Sequence, residues 1–230
     1  MKTLAKNLVA AATIALLTGS AFASTNLVVN GGFEAPTPLA AGSYARFNSI
    51  PTGWQYSGSN PYPLVGSGGF GYSAAADGTT MLAIESERNG LLYQDLGTLA
   101  AGTTYSFSAY MTSSTGINSY RISLFGDPNG ANNELAYITN ANFNPSAGTS
   151  QTIGFSYTAT AADDGKLLRL GFSDNARTPF VNGKVSRSAF DAVSVTAAAP
   201  VPEPSSALLL ALGIGGLMQL KRRGLGRAAA

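Results

Sequence analysis

Carboxylates and aromatic rings are the side chains through which this sequence could do chemistry. The chain has no histidine and no cysteine. That removes Ser-His-Asp and Cys-His catalysis, histidine zinc motifs and the commonest general base. It also excludes disulfides, even in a compartment that would permit them. Glycoside hydrolysis needs only two carboxylates about 5–10 Å apart. Glu85 and Glu87 share strand parity and would stand ~6–7 Å apart, but Glu85-Ser86-Glu87-Arg88-Asn89-Gly90 runs into a turn. Asp163-Asp164-Gly165 also reads as a turn. With no catalytic signature, the expectation is a protein that is not an enzyme.

Binding chemistry is better represented. Residues 41–78 are rich in Gly, Ser, Pro and Tyr and hold the single tryptophan, Trp54, with Tyr44, Tyr56, Tyr62, Phe70 and Tyr72. Long loops in a compact domain are often functional, and aromatic faces stack on the apolar faces of sugar rings. Tyr44, Trp54, Tyr56, Tyr62 and Tyr72 are therefore the candidate ligand contacts. The alternative is that Trp54 plugs the core and the tyrosines cover loop backbone. Two acids stand out by position. Glu34 follows Asn30-Gly31-Gly32-Phe33, and Asp191 lies in the last strand, two and four residues before Val193 and Val195. If those valines face inward, Asp191 does too, and a buried carboxylate needs a partner. One structural calcium ion is a candidate, with Glu34 and backbone carbonyls completing its oxygen shell. Hydrogen bonds to loop backbone, or a bulge that turns Asp191 to solvent, are the other readings.

The elements that must position these groups are strands. Helical periodicity is weak between residues 24 and 199, while short alternating runs recur between Gly, Asn, Asp and Pro clusters. In Thr103–Thr112, Tyr105, Phe107, Ala109 and Met111 share one face. Tyr120, Ile122 and Leu124 do so in 119–125, Ile153, Phe155 and Tyr157 in 152–158, and Leu168, Leu170 and Phe172 in 166–172. Further runs are 81–85, 91–96, 135–139 and 188–196, with a short one around Trp54-Gln55-Tyr56 and another just before Glu34. Eight or nine short strands without crossover helices predict an all-β fold, an antiparallel jelly-roll β-sandwich over residues 24–196. Residues 24–199 carry 8 basic and 11 acidic side chains, a net of −3. No basic stripe is present, so a nucleic-acid partner is not expected.

Both flanks read as targeting segments. Residues 1–23 have Lys2 and Lys6, an apolar stretch from Leu8 to Leu17 and Ala21-Phe22-Ala23, the pattern of a signal helix removed by signal peptidase. Residues 197–204 form an Ala/Pro-rich linker ending in Val201-Pro202-Glu203-Pro204. Residues 205–220 then form a short apolar helix, followed by the basic cluster Lys221-Arg222-Arg223 in a 221–230 tail. A full membrane span takes ~20 apolar residues, so this helix would cross only by drawing on the flanking serines and on snorkelling arginines. The basic cluster predicts a cytoplasmic tail that acts as a membrane stop.

Val201-Pro202-Glu203-Pro204, the Leu/Gly-rich helix and Lys221-Arg222-Arg223 together resemble the PEP-CTERM sorting signal of Gram-negative bacteria. The resemblance implies a transient stay in the inner membrane, cleavage by an exosortase-type membrane protease, and transfer to the cell surface or extracellular matrix. The Gly224–Ala230 tail is long for such a signal. A second resemblance spans most of residues 26–196. Asn26-Leu27-Val28-Val29-Asn30-Gly31-Gly32-Phe33-Glu34 and Ala189-Phe190-Asp191-Ala192-Val193-Ser194-Val195 resemble the two ends of galactose-binding-like sandwich modules, among them carbohydrate-binding modules. Leu92-Tyr93-Gln94-Asp95-Leu96 and Ala101-Gly102-Thr103-Thr104-Tyr105-Ser106-Phe107 fit the middle strands of such modules. The likeness implies that Glu34 and Asp191 hold a structural calcium, although Ala192 stands where a second acidic or amide residue is common. The expected function is glycan or exopolysaccharide binding at the cell surface, as in a biofilm matrix. The alternatives are a non-catalytic structural or adhesion protein and, third, a hydrolase.

Overall fold

A computed structural model describes residues 24–45, 50–58, 62–85, 90–127, 133–142, 144–174 and 186–200. The signal segment 1–23, the Pro-Glu-Pro motif 201–204, the apolar segment 205–220 and the basic tail 221–230 lie outside the described residues. Among the described residues, no helix is long and apolar enough to cross a membrane.

Among the described residues, eleven strands make two antiparallel sheets. In chain order they are β1 (Tyr44–Ala45), β2 (Gln55–Gly58), β3 (Leu64–Gly66), β4 (Thr80–Glu85), β5 (Gly90–Thr98), β6 (Thr104–Ser113), β7 (Arg121–Gly126), β8 (Glu134–Thr139), β9 (Ser150–Thr158), β10 (Leu167–Ser173) and β11 (Arg187–Ala198). One sheet has the order β1-β3-β4-β11-β6-β9, the other β2-β5-β10-β7-β8. From β8 to β11 the chain changes sheet at every connection, which places β10 and β11 in the middle of opposite layers.

Strict alternation builds the core between the layers. Tyr105, Phe107, Ala109 and Met111 of β6 are buried, as are Ile122 and Leu124 of β7 and Leu168, Leu170 and Phe172 of β10. Aromatic rings join the sheets. Phe172 packs against Trp54 at 5.7 Å, Phe107 at 6.2 Å and Phe190 at 5.5 Å between ring centroids, and Phe33 stacks on Trp54 at 5.3 Å. A second, smaller cluster lies outside the six-stranded sheet. Val65, Met81, Ala83 and Ala189 pack there under Tyr72, so the segment after β3 roofs that sheet.

Two local expectations are corrected. The strand expected before Glu34 is a single bridge, Asn26 to Thr196. At Gly31 the two ends of the domain meet too closely for a ladder with side chains: a Cβ there would lie 2.1 Å from the Val193 carbonyl oxygen. Asp191 also does not share a face with Val193 and Val195. The register of β11 against β6 shifts between Asp191 and Ser194, and Ala192 adopts φ 47°. This bulge inserts one residue and breaks parity. Phe190, Val193 and Val195 face the core, while Asp191 faces the loop covering the sheet.

Phe172→Ala removes the ring shared by these contacts and should lower stability by about 3–5 kcal/mol. Urea unfolding followed by tryptophan fluorescence measures the loss.

Candidate functional site

The sequence-predicted aromatics do not assemble into a ligand platform. Trp54, Tyr62 and Tyr72 are each only 5% exposed. Trp54 donates its indole N–H to the Asn30 carbonyl at 3.2 Å and fills the core. The Tyr62 hydroxyl donates to the Gly90 carbonyl at 3.1 Å and accepts from the Asp174 amide at 2.7 Å. Burial pushes its ionisation well above the ordinary phenol range. Tyr56 is half-buried, edge-on to Tyr62 at 5.9 Å. Tyr44 is half-buried and donates to Glu85 Oε2 at 3.0 Å. These rings shield strand edges and loop backbone, because the loop has few aliphatic residues with which to do it.

Glu34 and Asp191 are placed on one loop. Glu34 Oε1 accepts the amides of Thr79 and Thr80, both at 2.6 Å, and Oε2 accepts the Thr80 hydroxyl at 3.1 Å. Asp191 is fully buried; its Oδ2 accepts the amides of Ala76 at 2.7 Å and Asp77 at 2.8 Å, and its Oδ1 accepts Ala192 N–H at 2.7 Å. Burial raises the Asp191 pKa, and the three amides oppose that rise without cancelling it. Calcium takes six to eight oxygen ligands. Here N–H groups donate to three of the four carboxylate oxygens and a hydroxyl to the fourth. Among the described residues no group of three or more His, Cys, Asp or Glu side chains could hold a metal ion. Hydrogen bonds thus give every oxygen of the two carboxylates a partner in this structure.

The surface best suited to contact a ligand is the outer face of the five-stranded sheet. Its register lines up Gln55, Tyr93, Gly171, Ser123 and Tyr137 in one row across all five strands. The adjoining row is Asp95, Arg169, Phe125 and Glu134. Tyr93 and Tyr137 stand three strand spacings apart, about 14 Å. Between them Gly171 is essential: a Cβ there would lie 2.7 Å from Leu91 Cδ1 and 2.9 Å from Phe125 Cε2, so those two side chains close over it. The result is an apolar strip with a tyrosine at each end.

Each tyrosine is held by a guanidinium group. Arg169 lies 3.9 Å from the Tyr93 ring centroid, and Arg121 lies 3.8 Å from that of Tyr137. Both arginines are fixed in turn by carboxylates. Arg169 Nε and Nη2 donate to Asp95 at 2.6 and 3.1 Å. Arg121 makes a two-point contact with Glu134, which also accepts the Ser123 hydroxyl. Burial raises the Glu134 carboxyl, but the hydrogen bonds from Arg121 and Ser123 outweigh it and hold the carboxyl below its ordinary range; the same Glu134 contact raises Arg121. The Tyr93 hydroxyl donates to Gln55 Oε1 at 3.1 Å. Tyr137 is 51% exposed. Such a face offers rings for stacking, with hydrogen-bond donors and acceptors on either side.

A family model described as a carbohydrate binding domain, CBM_4_9, matches residues 25–175, which include every residue of this face. The chain belongs to this carbohydrate-binding domain family. No curated protein matches the sequence. Among solved structures, a Stig cyclase from Fischerella sp. TAU, in complex with (3Z)-3-(1-methyl-2-pyrrolidinylidene)-3H-indole, shares 18% identity at a TM-score of 0.61. The match covers 77% of this chain and 99% of the cyclase. A second Fischerella sp. TAU cyclase structure, with 4-(1H-indol-3-yl)butan-2-one, matches at 0.59 and 18% identity, covering 77% of this chain and 98% of that one. A CBM4 structure matches at 0.42 with 17% identity over 74% of this chain and 99% of its own. The cyclases correct the expectation that the chain is not an enzyme: the sandwich fold of this domain is also that of proteins that catalyse, so the fold does not exclude catalysis.

None of the face residues was singled out as a ligand contact by its sequence context. The available signal was parity: Tyr93, Phe125 and Tyr137 occupy outward positions in strands whose inward positions are apolar. Asp191→Ala leaves the amides of Ala76, Asp77 and Ala192 without their buried acceptor and should cost about 3 kcal/mol in urea unfolding. The wild-type melting temperature should be the same in calcium and in chelator.

Proposed function

We propose that the protein is an exported surface or matrix component that binds a polysaccharide chain across the outer face of its five-stranded sheet. The observation that carries this reading is the Tyr93–Tyr137 pair, each ring braced by an arginine, with the Leu91–Phe125 apolar strip between. Membership of the carbohydrate-binding domain family supports it. The spacing of the two rings suits several successive sugar units rather than one. Stacking supplies most of the attraction, because it needs no desolvation of charge. The two ion pairs leave the face without net charge and provide forked donors and acceptors for sugar hydroxyls. Affinity electrophoresis against a panel of soluble polysaccharides tests this. Tyr93→Ala and Tyr137→Ala should each weaken retardation by up to about tenfold, with unchanged circular dichroism. Retardation indifferent to both changes would refute this placement.

Export and sorting rest on the flanking segments. The 1–23 pattern directs the chain across the inner membrane, and signal peptidase removes it. The Val201-Pro202-Glu203-Pro204 motif, apolar 205–220 segment and Lys221-Arg222-Arg223 hold the intermediate in the inner membrane for an exosortase-type protease. Mass spectrometry of surface material should then recover peptides up to the Ala197–Pro204 linker and none from Lys221 to Ala230. Recovery of the intact tail would make the apolar segment a lasting anchor instead.

A further inference from the structure

Among the described residues the two sheets have four edge strands, and three of them are blunted. β1 has two residues and β2 four. β8 has six, begins with Glu134 and breaks register against β7. Short strands, charges and bulges are the devices by which sheet edges avoid pairing with another chain. The fourth edge, β9, has none of them. It runs nine residues, Ser150 to Thr158, with no charged residue and no proline. It pairs with β6 along its whole length without a register shift.

Bonds just beyond its two ends fix which side of β9 is free. Ser113 N–H donates to the Thr149 carbonyl, and Ala159 N–H donates to the Thr103 carbonyl. Thr149 and Ala159 thus turn their peptide groups toward β6. Peptide groups alternate sides along a strand. Those of Ser150, Thr152, Gly154, Ser156 and Thr158 therefore point away from the sheet. All five residues are exposed. Gly154 has no side chain, so its exposure is exposure of backbone. A row of outward N–H and C=O groups is what an added strand completes.

The side chains of β9 specify the strand that fits. Laid antiparallel on a second copy of itself about its midpoint, Gly154, β9 opposes Thr152 to Ser156 and Ile153 to Phe155. Hydroxyl pairs and pairs of an aromatic with a β-branched residue are among the favourable cross-strand pairs, and no charges meet. The hydroxyl pairs extend a face on which Thr104 and Thr158 already share a hydrogen bond at 2.9 Å. On the core side Phe155 lies 5.0 Å from Phe107 between ring centroids and is only half-buried, so the second copy's Ile153 covers the ring further. We propose that β9 is a dimerisation edge, through which two copies of this chain pair β9 to β9 in a self-complementary two-fold interface. The two six-stranded sheets then become one. A two-fold axis that relates antiparallel strands of one sheet stands normal to it, so the outer faces of both five-stranded sheets lie on the same side. The pairing does not depend on glycan binding. Combined with the first reading, it presents two binding faces to one polysaccharide.

The chain has no cysteine, so introduced thiols report the pairing directly. Full-length Thr152→Cys and Ser156→Cys chains are prepared separately, then oxidised alone and as a mixture, and run on a non-reducing gel. Both changes are at exposed positions, and unchanged circular dichroism checks the fold. Opposed residues of the ladder stand about 5.5 Å apart, within disulfide reach. Thr152 and the other copy's Thr152 are four residues out of register, ~13 Å, and cannot bridge. The mixture should give a covalent dimer that neither variant gives alone. No dimer in the mixture would overturn the proposal. Dimer from either variant alone at the level of the mixture, as from random collision or association through the flanking segments, would overturn it equally.

Discussion

The packing of Phe172 against Trp54, Phe107 and Phe190 is the contact on which the rest of the domain depends. Phe172 belongs to the central strand of one sheet and Phe190 and Phe107 to neighbouring central strands of the other. Turning Phe172, Leu170 and Leu168 inward leaves β10 no freedom about its other side: Arg169, Gly171 and Ser173 must face out. The floor of the proposed glycan face is thus the reverse of the core. A one-residue slip of β10 would bury Arg169 and expose Phe172, so the burial of one face maintains the register of the other.

Charge on the domain is used to hold side chains and loops in place. Arg169 with Asp95 and Arg121 with Glu134 immobilise rings at the surface, where an isolated ion pair would contribute little to stability. Their value is geometric, since a forked two-point contact fixes the guanidinium plane that lies on each tyrosine. Glu34 and Asp191 do comparable work for the segment 76–80, accepting its amides from near the two ends of the β domain.

Much of the fold was legible because strand parity is a local property. The inward faces of β6, β7, β9 and β10 follow directly from alternating residues, and the plugging role open to Trp54 is the one it takes. The misreading of Asp191 shows where this logic stops. Parity predicts a shared face with Val193 and Val195, but one inserted residue at Ala192 reverses it. Ala192 is not a residue type that announces positive φ. The loop aromatics misled for a related reason. Clustering in sequence looked like clustering at a surface, whereas Tyr62 and Tyr72 are spent on covering backbone that a polar, glycine-rich loop leaves exposed.

By itself the sequence determined the all-β class, the excluded chemistries and the inward residues of the long strands. Each of these follows from residue type or from a period of two. Only the tertiary structure decided which outward residues meet. Tyr93, Phe125 and Tyr137 lie on strands β5, β7 and β8, with Gly171 of β10 inserted between the first two in the sheet order. Strand order is set by which hydrophobic faces close over one another across the whole domain, and no local run of residues encodes it. The same holds for Glu85 and Arg187, about a hundred residues apart in sequence and directly opposite in the ladder.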